Sequence, residues 1–316
     1  MTPRPLGRSG LSVAPLALGG NVFGWTIDEP TSFGILDAFA DAGFNLVDTA
    51  DVYSRWAPGN AGGESETIIG RWLAQGGGRR EKVLIATKVG MEVQTGSGLG
   101  AAHITRAVED SLRRLQTDHI DLYQSHKDDP ATPMEETLDI YSKLVQEGKI
   151  RAIGASNYSA DRLAAALKIS ESHNLPSYTC LQPEYNLVAR DGFEAGLQPL
   201  CVAAGVGVIP YYSLASGFLT GKYRSEADLA KSPRGQKVKP YLDGRGHRIL
   251  QALDEVSARL ETTPARASIA WLLTRPAVTA PIASATSLSQ LDDLIAATGL
   301  ILDEPAITLL DAASGK

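Results

Sequence analysis

FNLVDTADVYSRWAPGNAGGESETIIGRWLAQGGGRREKVLIATKVG, residues 44–90, contains two short apolar runs separated by an amphipathic segment of helical length. The runs at Phe44–Val47 and Val83–Ala86 have the length of strands and lack polar alternation, which is typical of strands covered on both faces. Between them, Glu64–Ala74 has apolar residues at helical spacing. This strand–helix–strand order predicts a parallel sheet whose strands are joined by helices.

The same pattern extends in both directions from this stretch. Further strand-length apolar runs occur at residues 16–18, 120–123, 152–154, 180–181, 206–209 and 278–282, and further helical segments at residues 31–42, 101–115, 134–146, 159–171 and 194–204. Eight strands, in units of roughly 30 to 40 residues, predict a closed (β/α)8 TIM barrel of the α/β class. An open doubly wound sheet would need a glycine-rich fingerprint after its first strand, and GGNVFG at residues 19–24 does not have that spacing.

The remaining segments fit one domain that spans residues 1–316. Residues 4–13 predict an N-terminal β-hairpin with a turn near Ser9-Gly10, which we expect to close the bottom of the barrel. Residues 217–246 are charged, rich in Gly and Pro and without a clear period, which predicts a long loop on the C-terminal face with some extra helix. Residues 251–260 predict an additional surface helix.

The composition argues against several classes of function. The chain has a formal net charge of −6 and no basic tract, so we do not expect a nucleic-acid partner. No stretch approaches the roughly 18 apolar residues of a membrane span, and Met1–Gly10 lacks the apolar region of a signal peptide. Cys180 and Cys201 lie in apolar stretches and are expected to be buried free thiols, which favours a cytoplasmic protein.

Two glycine-rich motifs resemble nucleotide-binding sequences but depart from them. GSGLGAAH at residues 96–103 follows a strand and opens a helix, but it belongs to the third βα unit, so a flexible loop is favoured. GFLTGKY at residues 217–223 is one residue shorter than a P-loop and has Tyr where Ser or Thr is required. Neither motif therefore predicts a nucleotide site of its own.

Polar residues follow the C-terminal ends of successive predicted strands, where the active sites of barrels are built. Asp48, Lys88 and His126 end the second, third and fourth strands, and Tyr53 follows Asp48 by five residues. Asp48 can neutralise a buried lysine, and a lysine ammonium beside Tyr53 lowers the pKa of its phenol. Tyr53 would then be a general acid, His126 would orient a carbonyl oxygen, and a cofactor would supply hydride. Each residue alone also has an ordinary structural explanation; their joint placement favours catalysis.

Six stretches resemble the aldo-keto reductases, in order and at family-like spacing. They are LVDTADVY (46–53), ATKVG (86–90), SH (125–126), IGASNYS (153–159), LQPEYNL (181–187) and YYSLASGFLTGKY (211–223). The resemblance implies an NAD(P)H-dependent oxidoreductase that reduces aldehydes or ketones to alcohols, reversibly. It implies that Tyr53 is the proton donor, that Asp48 and Lys88 tune it, and that His126 positions the substrate. The expected partner is a small carbonyl or alcohol substrate, and the oligomeric state is left open.

The resemblance also implies a cofactor site, for NADPH in the first place. The residues of this site would hold the carboxamide, stack on the nicotinamide ring, cover the pyrophosphate and bind the adenosine end of the cofactor. They are Gly20, Asn21, Ser156, Asn157, Gln182, Tyr211, Tyr212, Leu214, Ser216, Gly217, Lys222, Ile282, Ser284, Ser287 and Gln290. Aromatic residues at the rim, Phe23, Trp25 and Trp56, are expected to shape an apolar substrate pocket. No metal site is expected.

The chain departs from the family pattern in two places. Thr286 and Leu294 stand where many members carry an Arg and an Asn for the adenosine 2′-phosphate, and Asp292 and Asp293 add negative charge nearby. NADH, or the use of both cofactors, is therefore an alternative to NADPH. Tyr212 stands where the family has a serine that contacts pyrophosphate, so only its backbone is expected to serve there.

Two other functions stay open at this point. The first is a cofactor-binding barrel that acts as a non-catalytic regulatory subunit. The second is a metal-dependent barrel lyase or isomerase that uses Asp48, Lys88 and His126, although the remaining histidines do not lie at predicted strand ends.

Overall fold

Strands and helices alternate through residues 2–315, the part of the chain that the computed structural model describes. The strands are β1 (Arg4–Pro5), β2 (Ser12–Val13), β3 (Ala17–Gly19), β4 (Leu46–Asp48), β5 (Leu84–Val89), β6 (Ile120–Ser125), β7 (Ile150–Ser156), β8 (Tyr178–Gln182), β9 (Gly207–Val208) and β10 (Ile282–Ala283). The α-helices are α1 (Glu29–Asp41), α2 (Glu64–Leu73), α3 (Arg79–Lys82), α4 (Ala101–Leu115), α5 (Met134–Gln146), α6 (Ala160–His173), α7 (Asp191–Glu194), α8 (Leu197–Ala204), α9 (Gly244–Arg259), α10 (Pro264–Leu273), α11 (Leu288–Ala297) and α12 (Glu304–Ser314). Short 3-10 helices lie at Gly20–Val22, Ala215–Thr220, Glu226–Lys231 and Gly235–Tyr241.

The eight strands from β3 to β10 form one parallel sheet, in the order β10-β3-β4-β5-β6-β7-β8-β9. Its two edges meet, because the amide of Val208 in β9 donates to the carbonyl oxygen of Ala277 at 2.9 Å. The amide of Ile282 in β10 likewise donates to the carbonyl oxygen of Pro210 at 2.9 Å. The predicted (β/α)8 barrel is therefore confirmed.

The hairpin of β1 and β2 closes the N-terminal end of the barrel, as the sequence predicted. Leu6 and Val13 are fully buried and pack against inward-facing strand residues such as Leu46 and Leu122. Gly7, in the hairpin turn, has φ +55°, and a Cβ there would lie 2.1 Å from the carbonyl oxygen of Thr179. Because the bottom is filled, the open space of the barrel lies at its C-terminal end.

A second apolar layer fills the space between the sheet and the surrounding helices. Ile69 and Trp72 of α2 and Val108 of α4 are fully buried in it. Each such side chain stabilises the fold by about 1.5–3 kcal/mol relative to an exposed one. Cys180 and Cys201 are buried and free, as expected. Within residues 2–315, no helix is long and apolar enough to cross a membrane.

Several element boundaries differ from the sequence-based expectation. The helix predicted for residues 194–204 is split into α7 and α8 at Gly196, and the strand predicted for residues 278–282 begins only at Ile282. Residues 217–246, predicted as a long loop with some extra helix, carry most of three 3-10 helices, in agreement with that prediction. The helix predicted for residues 251–260 begins earlier, at Gly244. The helices α10, α11 and α12 were not predicted.

Candidate active site

The four residues predicted to be catalytic lie together at the C-terminal end of the barrel. Lys88 in β5 is fully buried, and its Nζ donates to Asp48 Oδ2 at 2.7 Å and to the carbonyl oxygen of Thr49 at 2.8 Å. The same Nζ lies 2.9 Å from the hydroxyl oxygen of Tyr53. The chain after β4 runs beside β5, since the amide of Thr49 donates to the carbonyl oxygen of Ala86 at 2.8 Å. It then turns back and brings the phenol over Lys88.

The second carboxylate oxygen of Asp48 is held from the opposite side of the barrel. Gln182 in β8 donates from Nε2 to Asp48 Oδ1 at 2.8 Å, and Gln124 in β6 donates to the same oxygen at 3.4 Å. Buried charges need this kind of pairing, because removal from water disfavours an isolated ion. Asp48 is thus fixed between its cation and two amides, so it cannot move away from Lys88 without losing several hydrogen bonds.

Burial has the largest effect on the ionisation of Tyr53 and Lys88. Burial raises the pKa of Tyr53 well above its usual value of 10.0, and the nearby Asp48 carboxylate raises it further. The sequence-based expectation of a lowered phenol pKa considered only the lysine. In the structure, burial and the Asp48 carboxylate raise the pKa of Tyr53 by more than the lysine lowers it. Burial also lowers the pKa of Lys88, although Asp48 opposes the change. Tyr53 therefore carries its proton at neutral pH and is in the form that a general acid requires.

His126 follows β6 and faces the same space. Burial, with a smaller contribution from Lys88, lowers its pKa well below 6.5, so the imidazole is neutral. Its ring lies 5.9 Å from the Tyr53 ring, centroid to centroid. Its Nδ1 is buried without a hydrogen-bond partner among the described residues. A neutral imidazole at this place can donate one hydrogen bond to a ligand oxygen without adding charge.

A cavity of about 1190 Å³ extends from these residues along the C-terminal face. Most of the cofactor-binding residues predicted from the sequence line it: Asn21, Ser156, Asn157, Gln182, Tyr211, Tyr212, Leu214, Ser216, Gly217, Lys222, Ile282, Ser284 and Gln290. Two do not line it. Gly20 is buried beneath the cavity, where its carbonyl oxygen accepts a hydrogen bond from Ser65. Ser287 caps the first turn of α11 by accepting from the amide of Gln290.

Tyr211 presents an aromatic ring to the cavity, and polar contacts hold that ring in place. Its hydroxyl donates to Asn157 Oδ1 at 2.8 Å, and Asn157 Nδ2 lies 3.0 Å from Ser156 Oγ. Ser156 in turn donates to the carbonyl oxygen of Gln182 at 2.9 Å. This chain of contacts fixes a flat apolar surface, which suits a stacked planar ring.

The segment after Tyr211 adopts an unusual backbone. Tyr212, Ala215 and Ser216 have positive φ angles of 54°, 48° and 58°, although none is glycine. Non-glycine residues in this region cost on the order of 1–3 kcal/mol each and persist where the surroundings impose them, often at ligand sites. A Cβ on Gly217 would lie 3.1 Å from Cε of Lys222, so this cation lies directly against the segment. Backbone amides and a cation side by side suit an anionic ligand such as pyrophosphate.

Two tryptophans form one wall of the cavity near Tyr53. Trp25 and Trp56 contact each other edge to face at 5.5 Å between ring centroids, and Trp56 lies 5.9 Å from Tyr53. Phe23, which was also predicted to shape the substrate pocket, is fully buried in the apolar core and does not line the cavity. The prediction for Phe23 is corrected: the turn after the 3-10 helix Gly20–Val22 directs its side chain inward.

The far end of the cavity is lined by Thr286 and Leu294, the two positions where the sequence departs from the family pattern. Thr286 donates to Gln290 Oε1 through its backbone amide and its hydroxyl, at 2.9 and 3.0 Å. Asp293 also faces this end, but Arg266 Nε lies 2.6 Å from its Oδ1. Its negative charge is therefore partly neutralised.

Sequence reasoning missed a group of cations that line the cavity from the long segment after β9. Lys231, Arg234 and Lys237 belong to it, and the Arg234 guanidinium lies 5.7 Å from the centre of the Trp25 ring. Their sequence context has no period and no motif, and only the excess of basic residues in this segment could have indicated them. By contrast, the 96–103 motif does not line the cavity. Within residues 2–315, no three or more His, Cys, Asp or Glu residues are grouped so that they could hold a metal ion.

Comparisons with known proteins agree with this geometry. A profile of the aldo/keto reductase family matches residues 15–314. The uncharacterized oxidoreductase YrpG of Bacillus subtilis is 36% identical over 97% of this chain and 94% of its own length. The aldo-keto reductase YhdN of the same organism is 33% identical over 93% and 86%, respectively. A Schizosaccharomyces pombe protein named as a voltage-gated potassium channel subunit beta is 32% identical over 94% and 88%. The chain belongs to the aldo/keto reductase family and is an NAD(P)-dependent oxidoreductase.

Proposed function

We propose that this protein reduces aldehydes or ketones to alcohols, reversibly, with Tyr53 as the general acid. The observation that carries the proposal is the contact of Tyr53 with Lys88, 2.9 Å between hydroxyl oxygen and Nζ, in a pair that Asp48 holds at the wall of the cavity. A tyrosine that is protonated at neutral pH and lies beside a buried ammonium can give up its proton to a developing alkoxide, because the ammonium stabilises the phenolate that remains.

The residues around Tyr53 divide the remaining tasks. His126, neutral and facing the cavity, donates a hydrogen bond to the carbonyl oxygen of the substrate and orients it toward the phenol. Trp25 and Trp56 cover the rest of the substrate and exclude water. A bound nicotinamide supplies the hydride. The Tyr53 O–H bond breaks as the carbonyl oxygen takes the proton, and Lys88 holds the charge that is left on the phenol oxygen.

The lining of the cavity supports a nicotinamide dinucleotide as the cofactor. Its lining includes the Tyr211 ring, Tyr212 and Ser216 of the positive-φ segment, Lys222 and Thr286. We propose NADPH as the first cofactor on the basis of the family, with NADH as the alternative. Thr286 and Leu294 supply no positive charge for a 2′-phosphate, whereas Lys231, Arg234 and Lys237 bring cations to the cavity. The relative affinity for NADPH and NADH therefore decides whether these cations replace the positive charge that Thr286 and Leu294 do not supply for the 2′-phosphate.

Titration with NADPH and NADH, followed by tryptophan fluorescence, tests the cofactor site. Trp25 and Trp56 line the cavity, whereas Trp72 and Trp271 are buried elsewhere in the core. We expect quenching that is much reduced in a Trp25→Phe, Trp56→Phe double variant. Folded wild-type protein that binds neither cofactor would contradict the assignment.

Turnover of 4-nitrobenzaldehyde tests the role of Tyr53. In Tyr53→Phe, kcat is expected to fall by about 10²–10⁴-fold, the usual contribution of a general acid, while cofactor affinity changes little. Tyr241→Phe is a matched control, since Tyr241 is partly buried and does not line the cavity. A Tyr53→Phe variant that retains wild-type kcat would exclude Tyr53 as the acid.

A non-catalytic regulatory subunit is the second candidate. It is supported by relatives that are named as voltage-gated potassium channel subunits beta, at 32% identity. Cofactor binding without oxidation of NADPH or NADH by any of a panel of aldehydes and ketones would favour this candidate over the first.

A further inference from the structure

Asp51 is a buried carboxyl group that the proposed mechanism does not use. It lies between Asp48 and Tyr53 in the chain, and its backbone amide donates to the carbonyl oxygen of Lys88 at 3.3 Å. Its side chain is only 3% exposed, and neither carboxyl oxygen has a hydrogen-bond partner of normal geometry within residues 2–315. Asp48, three residues earlier, is saturated with partners by comparison.

The charges around Asp51 are already balanced without it. Glu66 from α2 is fully buried and accepts hydrogen bonds from Thr87 Oγ1 at 2.5 Å and Arg114 Nε at 2.6 Å. Lys88 from β5 is paired with Asp48 in the same way. The cluster thus contains two cations, two partnered carboxylates and Asp51. A third negative charge would share both cations with Asp48 and Glu66, and the donor that acts on it is the Val52 amide.

Two phenol groups also interact with Asp51. Tyr123 from β6 and Tyr141 from α5 both interact with it electrostatically, and the Tyr123 hydroxyl is itself buried without a hydrogen-bond partner among the described residues. Burial, and then the charge of Glu66, raises the pKa of Asp51 to about 8, although Arg114, the Val52 amide and Lys88 favour the ionised form. These surroundings keep the carboxyl group protonated at neutral pH.

We infer that Asp51 is a positioning residue that must keep its proton for the Lys88–Tyr53 pair to work, and that its ionisation switches carbonyl reduction off at alkaline pH. The inference rests on the proposed function of Tyr53. Each reduction leaves a phenolate on Tyr53, which Lys88 stabilises from 2.9 Å. An ionised Asp51 would add a negative charge that acts on Lys88 and offsets this stabilisation, so the proton transfer from Tyr53 would become slower.

The pH profile of kcat separates Asp51 from the other groups of the site. Burial raises the pKa of Tyr53 well above 10.0 and lowers that of His126 well below 6.5, which takes both groups out of the range between pH 7 and 9. Burial also lowers the pKa of Lys88, so the comparison of the wild type with Asp51→Asn, and not the wild-type profile alone, assigns a fall in this range to Asp51. With saturating 4-nitrobenzaldehyde and NADPH, we expect wild-type kcat to fall about ten-fold from pH 7 to pH 9, because a group with pKa 8 is then about nine-tenths ionised. In Asp51→Asn the fall should be lost. Asp118→Asn, at a carboxylate that is 93% exposed, should keep the wild-type profile.

Infrared spectroscopy tests the inference without turnover. Wild-type protein at pH 7 should show the carbonyl stretch of a protonated carboxyl group, which disappears by pH 10 and is missing in Asp51→Asn. Burial also raises the pKa of Glu184, so the band is recorded in a Glu184→Gln background. If Asp51→Asn does not fold, the pH titration of this band in the Glu184→Gln protein decides the question.

The outcomes distinguish the two proposals. A protein that turns over no carbonyl with either cofactor contradicts the proposed function, whatever the infrared band shows. A missing band at pH 7, or an Asp51→Asn profile that falls in parallel with the wild type, overturns the role of Asp51 and leaves Tyr53 untouched.

Discussion

Asp51 is expected to make the folded protein less stable as the pH rises, and replacement by Asn should remove this dependence. The fold raises the pKa of Asp51 from 3.8 to about 8. Between these two values the folded protein still binds a proton that the unfolded chain has released, so the free energy of unfolding falls with pH. The slope is about 1.4 kcal/mol per pH unit, and from pH 3.8 to pH 7 the loss reaches about 4 kcal/mol. Above pH 8 both states have lost the proton, and the loss becomes constant.

Urea unfolding of the wild type and Asp51→Asn at pH 5, 6, 7 and 8 measures this effect. An amide has no proton to release in this range, so the stability of Asp51→Asn relative to the wild type should increase by about 1.4 kcal/mol for each pH unit up to pH 7. From pH 7 to pH 8 the increase should be smaller, about 1 kcal/mol, because folded wild type also begins to lose the proton. The constant part of the difference is not diagnostic, because a buried amide has its own desolvation cost. Asp118→Asn should show no such increase, since its carboxylate is 93% exposed. A difference between Asp51→Asn and wild type that does not change with pH would refute the reasoning.

Three further perturbations test the site and the fold. Lys88→Met should lower the free energy of unfolding by about 3–5 kcal/mol, measured by urea unfolding, because Asp48 becomes a buried charge without its cation; it should also abolish turnover, and an active variant would contradict the role of Lys88. Gly7→Ala should destabilise the protein by more than 1 kcal/mol, since φ is +55° and the new Cβ would meet the carbonyl oxygen of Thr179; an unchanged unfolding midpoint would show that the hairpin is not held tightly. Thr286→Arg should increase affinity for NADPH relative to NADH by about ten-fold in fluorescence titrations, because an arginine adds a charge-assisted partner for a 2′-phosphate; an equal effect on both cofactors would place the phosphate elsewhere.

The barrel could be predicted because its strands are buried on both faces. Such strands contain short apolar runs, as at Leu84–Ala86 in β5, and the repeat of strand and helix leaves few topologies. The boundaries were harder to predict. Gly196 interrupts a segment with a helical pattern, and β10 is set by its pairing with β3, which no local pattern shows.

The grouping of the candidate catalytic residues could be predicted for a geometrical reason. In a parallel barrel the C-terminal ends of all strands lie on one rim, so Asp48, Lys88 and His126 had to be neighbours once the strands were assigned. Loop residues do not obey this rule. Phe23 turned inward although Trp25, two residues later, faces the cavity, and Arg234 reaches the cavity from a segment with no pattern. Side-chain direction there depends on packing that sequence spacing does not determine.

The segment from residue 48 to residue 53 shows most clearly what the structure adds. It carries two identical carboxyl groups and a phenol, and from the sequence Asp48 and Asp51 have the same chemistry. The structure gives Asp48 a lysine at 2.7 Å and an amide at 2.8 Å, and gives Asp51 neither. Both side chains are removed from water, and a buried charge needs partners. In the role that we propose, Asp48 holds the lysine charge in place, while a neutral Asp51 leaves that charge free to act on Tyr53.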